Sequence, residues 1–311
     1  MTAGVVSAIH LHPIKSCHRV EVRSATVGPV GLVGDREWQL STPTGPLTQR
    51  QRAVLATVQP QLTEGGLRIT APGRPTIEVA RPVAADTTTL ALVGVEAGAA
   101  DAGDEAAAWF SALLAEATDR RPSGGGDGAD SSDDETAVRL VALPVDGAVP
   151  IPAELAVAGP AIAFGDLAPV LVANTASLRW LAERADEPFG MERFRPNLVV
   201  DTDEPFAEDT WARFRLGDSR LDLGAPWPRC TIPQVDQETG RRGREPARVL
   251  RAHRWCTHAP DVPLAFRPVI ENSGVFGIGC TIGPVGSVVS VGDRLEVEAS
   301  TPPLLPNPAL T

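Results

Sequence analysis

Short runs of Val, Ile, Leu and Thr, separated by Gly, Pro and polar clusters, set the rhythm of the chain. Runs of this length bounded by turn residues predict strands rather than long helices. In the first part the pattern predicts strands over Val5–His12, Val20–Val27, Glu37–Ser41, Leu55–Val58, Leu67–Thr70 and Thr88–Val95. Turns at Gly65-Gly66 and Pro72-Gly73 complete the picture of a barrel or a curled antiparallel sheet. A helical period takes over at Asp104–Thr118, where Ala107, Phe110, Leu113 and Leu114 share one face and Asp104 suits the cap. Strands are predicted again over Val138–Leu143, Val170–Ala173, Leu198–Asp201, Arg213–Leu223 and Ser287–Val297. Helices interrupt them at Ser177–Arg184 and from Pro246, whose missing N–H suits a first helical turn.

The pattern breaks at residues 122–136, which carry Pro, Gly, Ser and an acidic run with no apolar residue beyond Ala129. Such a segment has nothing to bury and reads as a mobile acidic loop or linker. It divides the chain into an N-terminal unit, 1–121, and a C-terminal unit, 137–311. The expected fold class is mainly β with a few helices (α+β), built as two β-rich, barrel-like units.

Composition supports this reading. Gly and Pro number 29 each and Tyr is absent, while 43% hydrophobic and 22% charged residues allow a full core with an ordinary surface. A net charge of −11 argues against nucleic acid as a partner, although a local basic pocket for a small anion is compatible with it. The chain opens without a basic region followed by an apolar run, and no stretch reaches the ~20 apolar residues of a membrane span. No membrane partner is therefore expected, and a cytoplasmic location is.

Four cysteines, Cys17, Cys230, Cys256 and Cys280, are scattered without a C-x-x-C pair, and no iron–sulfur spacing occurs. Cys230 follows Pro226-Trp227-Pro228-Arg229, so its backbone is stiffened and a cation adjoins it. A thiolate in that setting suits a soft metal or nucleophilic chemistry, whereas a free cysteine elsewhere is usually a small buried apolar residue. Cations recur at strand ends in His12-Pro13-Ile14-Lys15-Ser16-Cys17, Gly34-Asp35-Arg36 and Phe194-Arg195-Pro196-Asn197, where loops on a rigid scaffold build sites. His10 and His12 share a strand face and offer the start of a zinc site, with surface or packing roles as the plainer alternative. Gly277-Ile278-Gly279 lacks the third glycine and following helix of a dinucleotide loop. Asp236, ahead of Glu238-Thr239-Gly240, reads first as a turn residue and second as a proton relay.

These runs, with Gly103–Trp109, Phe206–Trp211, Val235–Gly240 and Val291–Asp293, recur in the same order in MOSC-domain proteins that carry an N-terminal MOSC β-barrel, and the chain resembles that family along most of its length. The resemblance implies that residues 1–121 are the N-terminal MOSC barrel and 137–311 the MOSC domain. It implies a molybdenum–molybdopterin cofactor with Cys230 as metal ligand and catalytic residue. It also implies cofactor contacts from Lys15, Ser16, Arg36, Asp166, Leu167, Ala168, Arg195, Arg229 and Gly279. Departures from the family are Gly279, where relatives can carry tyrosine, His12 in place of an aromatic residue, and Leu167 and Ala168 in place of hydroxyls. The implied activity is reduction of N-hydroxylated compounds (amidoximes, N-oxides) by oxygen removal, with two electrons and two protons consumed and water released. The small substrate would then be met by electrons from a separate ferredoxin- or reductase-like donor. A cofactor carrier or storage protein without turnover is the alternative, because the MOSC fold also occurs beside cofactor-sulfurating enzymes.

Overall fold

The structure, a computed structural model, describes residues 2–83, 87–92, 95–119 and 137–310. The acidic segment expected to be a loop, 122–136, lies outside the described residues.

Seven strands close into a barrel. Going round it, Val170–Asn174, Leu198–Asp201, Thr2–Leu11, Arg294–Ser300, Trp211–Leu216, Ser219–Arg229 and Ser273–Gly283 pair in turn, and the last pairs back onto the first. One pair, Val172↔Leu198 to Asn174↔Val200, is parallel, which requires a crossover; the helix Thr175–Ala182 lies on that connection. Asn174 starts the helix by accepting the Ala176 N–H at 3.0 Å. Inward-facing Ile9, Val172, Leu198, Phe214, Leu221 and Ile278, all fully buried, fill the barrel. Every residue of Val170–Asn174 is buried, because clusters cover both faces of that strand.

The N-terminal part is a five-stranded antiparallel sheet in the order Thr87–Leu92, Val95–Asp101, Arg139–Ala142, Trp38–Thr42, Gly45–Leu47, with a three-stranded sheet, Gln59–Thr63, Gly66–Thr70 and Ile77–Ala80, beside it. The helix Asp104–Asp119 packs Phe110, Leu113 and Leu114 into the core that holds Trp38, Leu40 and Leu67. The predicted apolar stripe is therefore the packed face. Mainly β with a few helices describes the molecule, as expected.

The two units exchange strands. Thr2–Leu11 belongs to the barrel, and Arg139–Ala142 belongs to the N-terminal sheet. A cut at 122–136 thus separates a strand from each of these two sheets.

Several elements differ from expectation. Leu55–Val58 is not a strand; it falls in a 3₁₀ turn, Ala53–Thr57, whose buried Leu55, Ala56 and Thr57 gave the apolar run. Arg213–Leu223 is a hairpin, turning at Gly217 with φ +55°. Ser287–Val297 is likewise two strands, Val288–Ser290 and Arg294–Ser300, parted at Gly292 with φ +97°. The buried strand Ser273–Gly283 was not anticipated at all, since its glycines mask the β signal. Among the described residues no helix is long and apolar enough to cross a membrane.

Candidate functional site

At one end of the barrel the segments after Leu11, around Arg36, around Asp166 and around Arg195 meet the end of the Ser219–Arg229 strand. Backbone bonds lock them together: Lys15 N–H to Trp38 O (2.7 Å), Arg36 N–H to His12 O (2.8 Å) and Phe164 N–H to Arg36 O (2.8 Å). Between them opens a cleft of ≈ 680 Å³, counting its open mouth.

One end of the cleft is built on unusual backbone. Ser16, Arg36 and Arg195 all sit in the left-handed region, at φ +67°, +52° and +55°. Non-glycine residues are uncommon there and are held only where their surroundings over-determine them. Arg36 donates to the Asp35 carboxylate, to Asn197 Oδ1 (3.2 Å) and to Arg195 O (3.1 Å). Burial alone would raise the Asp35 pKa, but the Arg36 guanidinium and the His12 donors outweigh it and hold the carboxyl well below its usual range. Arg195, 7% exposed, donates through Nη1 to Cys17 O (2.7 Å) and Gln237 Oε1 (3.0 Å). Burial, then repulsion from Arg36, lowers its pKa to about 9, so it remains a cation at neutral pH.

The other end holds Cys230, the exposed one of four free cysteines. Its Sγ accepts the Ile232 N–H at 3.5 Å, a long contact to sulfur. Arg229, beside it, donates to Phe194 O at 2.7 Å and lies over the Phe194 ring, which stacks on Phe276 at 3.9 Å. Burial lowers the Arg229 pKa to about 10 against the opposing pull of Cys230. Arg50 lines the same cleft: burial works against its charge, but Cys230 and then Asp166 raise its pKa overall. Between the two ends, Lys15 Nζ donates to Gly165 O (3.1 Å) and pairs with Asp166 at 3.3 Å. Lys15 holds the Asp166 carboxyl down to about 2, although 53% of that side chain is open.

Eight of the ten anticipated residues line the cleft: Lys15, Ser16, Arg36, Asp166, Ala168, Arg195, Arg229 and Cys230. Two do not. The Leu167 side chain is 9% exposed and packs into the cluster with Phe164 and Ile162, as an apolar side chain in a loop between wet neighbours should. Gly279 is the second, lying behind the wall beneath Trp227, whose ring would stand 2.3 Å from a Cβ at that position. Among the residues that sequence reasoning missed are Thr48, Arg50 and Trp227. Thr48-Gln49-Arg50 reads as an ordinary polar turn; a cation just beyond the Gly45–Leu47 strand end was the available signal.

The remaining candidates resolve into structural roles. His12 is fully buried and its pKa is pushed well below normal by burial, Arg195 and Arg36, so its 3.5 Å contact with Asp35 is not an ion pair. No group of three or more His, Cys, Asp or Glu converges among the described residues, and His10 and His12 do not begin a zinc site there. Asp236 Oδ1 accepts from Thr239 N (2.8 Å), Thr239 Oγ1 (2.7 Å) and Glu238 N (3.2 Å), which makes it a turn residue. Cys17, Cys256 and Cys280 are fully buried, and burial pushes the Cys17 thiol up to about 12.

The donor set suits a molybdenum pterin. Arg195 Nη2 and Arg229 Nε and Nη1 are buried without a partner among the described residues, an arrangement that leaves charged donors unsatisfied until an anion accepts from them. Guanidiniums match phosphate oxygens, and an exposed thiol stands at the opposite end of the same cleft.

Comparison with known proteins identifies domains and relatives. Residues 3–117 match the MOSC N-terminal beta barrel domain and residues 159–296 the MOSC domain. The rat protein called mitochondrial amidoxime reducing component 2 is 31% identical over 303 residues, covering 93% of this chain and 82% of its own. Human mitochondrial amidoxime-reducing component 1 is 27% identical, covering 89% and 81%. A zebrafish (Danio rerio) molybdenum cofactor sulfurase is 27% identical over 78% of this chain but only 29% of its own.

Proposed function

The chain belongs to the MOSC-domain family that carries an N-terminal MOSC β-barrel, and from that premise we propose that it is a molybdenum-cofactor-dependent oxidoreductase that removes oxygen from N-hydroxylated compounds such as amidoximes. The observation that carries the reading is the pairing, in one cleft, of the exposed Cys230 thiol with Arg195 and Arg229, whose buried Nη2 and Nε and Nη1 groups respectively have no partner among the described residues.

In this reading Cys230 is the protein's sulfur ligand to the metal. Arg36, Arg195, Lys15 and Ser16 hold the anionic end of the pterin, and Arg36 and Asn197 keep Arg195 in its left-handed conformation by bonding its carbonyl and its neighbours. Arg229, fixed by Phe194 O, keeps positive charge beside the thiolate. Trp227 and Phe194 form apolar walls that exclude water from the inner cleft. The bound group supplies the two-electron oxygen chemistry.

The test is reduction of a simple amidoxime to its amidine by purified, molybdenum-replete protein with a reduced viologen dye. Turnover in wild type and none in Cys230→Ala supports the reading; no turnover of any N-hydroxylated compound ends it. A separate electron-donor protein follows from the same reading, so NADH or NADPH alone should give no turnover, and direct NADH-driven reduction would contradict it. The reading keeps the protein in the cytoplasm, a point for cell fractionation, since its animal relatives carry mitochondrial names.

The similarity to a molybdenum cofactor sulfurase and the open thiol favour a second reading, a carrier that hands the cofactor on. Ready transfer of molybdopterin to an apo-enzyme, without turnover, distinguishes it.

A further inference from the structure

Gln49 and Gln237, 188 positions apart, are 0% and 2% exposed and pair through their side-chain amides. Gln49 Nε2 donates to Gln237 Oε1 (2.9 Å), and Gln237 Nε2 donates back to Gln49 Oε1 (3.0 Å). The remaining N–H of each amide reaches a backbone carbonyl, from Gln49 to Ser16 O (2.8 Å) and from Gln237 to Val235 O (2.9 Å). Every side-chain N–H of the pair therefore has an acceptor, as a buried amide requires. Flipping the Gln237 amide would set its Nε2 against Arg195 Nη1, donor to donor, so its orientation is fixed.

Gln237 Oε1 accepts from Arg195 Nη1 at 3.0 Å, and the other acceptor of that nitrogen is Cys17 O at 2.7 Å. Both are neutral oxygens, so they hold the guanidinium without cancelling its charge. An anchor is needed there, because Arg36 comes close enough to donate to Arg195 O and like charges repel. With Nη1 tied back, Nη2 has no partner among the described residues and is the group Arg195 keeps for a ligand in the cleft it lines. The turn that carries Gln237 is docked onto the same segment a second time, where Arg193 Nη2 donates to Asp236 Oδ2 at 3.1 Å.

We propose that Gln237, locked by Gln49, is a positioning residue for the anion-binding end of the cleft: it holds Arg195 by Nη1 and so keeps Nη2 free for a phosphate-like oxyanion. Gln49 comes from the N-terminal unit and clasps Ser16 O, whereas Gln237 and Arg195 come from the C-terminal unit. The amide pair thus also keeps the two halves of that end in register. The inference rests on reading this end as the place of the cofactor's phosphate, but it needs neither the metal nor the reductase activity.

The test uses the full chain, purified free of molybdenum, and titrates it with inorganic phosphate by calorimetry. Gln237→Leu removes the acceptor at similar size and is expected to weaken phosphate binding by about three- to thirtyfold, part of the value of a hydrogen bond to a charged group. General damage would reach both ends of the cleft, so alkylation of exposed Cys230 by neutral iodoacetamide is read in parallel; its rate should stay within about twofold. In an Arg195→Ala background the same substitution should change phosphate affinity by less than about twofold, because nothing remains for Gln237 to hold. Where Gln237→Leu does not fold, Gln237→Asn decides, since it keeps an amide drawn back by one methylene and should show the same loss in smaller degree. Unchanged or tighter phosphate binding in the folded variant, an equal loss with and without Arg195, a parallel change in alkylation, or no saturable binding by wild type overturns the positioning role. The expected phosphate results in a protein that reduces no amidoxime would keep this inference and end the reductase reading.

Discussion

Lys15 is the chain's single lysine among many arginines, and it stands in the cleft with its ammonium between Gly165 O and Asp166. A compact point charge fits between those two acceptors, whereas a planar fork needs more room. Lys15→Arg is therefore expected to lower the molybdenum retained after purification while shifting the melting temperature of the metal-free protein by only a few degrees; equal metal content would remove Lys15 from the set that holds the cofactor. Trp227 and Gly279 form a second tight arrangement, since a Cβ at Gly279 would meet Trp227 at 2.3 Å and Ala168 Cβ at 2.9 Å. Gly279→Ala should cost about 1–3 kcal/mol of stability by overpacking, and Trp227→Ala in the same chain should recover much of it. Additive losses in urea unfolding of the double variant would show that the two positions do not share one space. Cys230, Arg36 and Arg195 were legible in sequence because each sits in a run that resembles the family. Arg50 was not, because it lines the cleft from a polar turn that carries no local signal of its own.

Between elements, Phe206–Trp211 joins the barrel to its outer helices through buried charge. Asp209 pairs with Arg254, and both are almost fully buried. Glu208 Oε2 accepts from Asn174 Nδ2 (3.0 Å) and Ser177 Oγ (2.8 Å), tying the helix Thr175–Ala182 to this turn. Removing one partner of the buried pair, as in Asp209→Ala, should cost roughly 3–5 kcal/mol. Burial and then the neighbouring Asp209 raise the Glu208 pKa from 4.5 to about 7. Because the folded pKa exceeds the unfolded one, the folded state binds this proton more tightly; the contribution is full below the unfolded value and is lost as pH rises through the folded one. Glu208→Gln keeps an acceptor and should flatten stability between about pH 5 and pH 8, standing above wild type at the upper end. Parallel urea curves for both proteins across that range would contradict the assignment. The turn's importance could be suspected from sequence, but its buried pairing could not, since Arg254 lies in a separate run. The strand Ser273–Gly283 was illegible for a related reason: Gly277, at φ +73°, passes within 2.7 Å of Val172 O if given a Cβ, so the feature that lets two strands approach also erases the apolar alternation.

For the whole molecule, alternation and turns were sufficient to read a mainly β protein in two barrel-like units, whereas the strand exchange required knowledge of pairings that no local pattern carries. Thr2–Leu11 closes the barrel between Leu198–Asp201 and Arg294–Ser300. A fragment beginning at residue 137 would lack that strand and is expected to remain unfolded alone; a cooperative melt from it would contradict the exchange. The cleft needs the complete chain as well, since Lys15, Arg36 and Arg50 come from the N-terminal unit and Arg195, Arg229 and Cys230 from the C-terminal one. The central claim is that this shared cleft holds molybdenum through Cys230. The measurement that tests it most directly is molybdenum content, by elemental analysis, of wild type and Cys230→Ala purified side by side from a host that makes the cofactor. The account predicts stoichiometric molybdenum in wild type and little in Cys230→Ala, with an unchanged circular dichroism spectrum; equal molybdenum in the two proteins would contradict it.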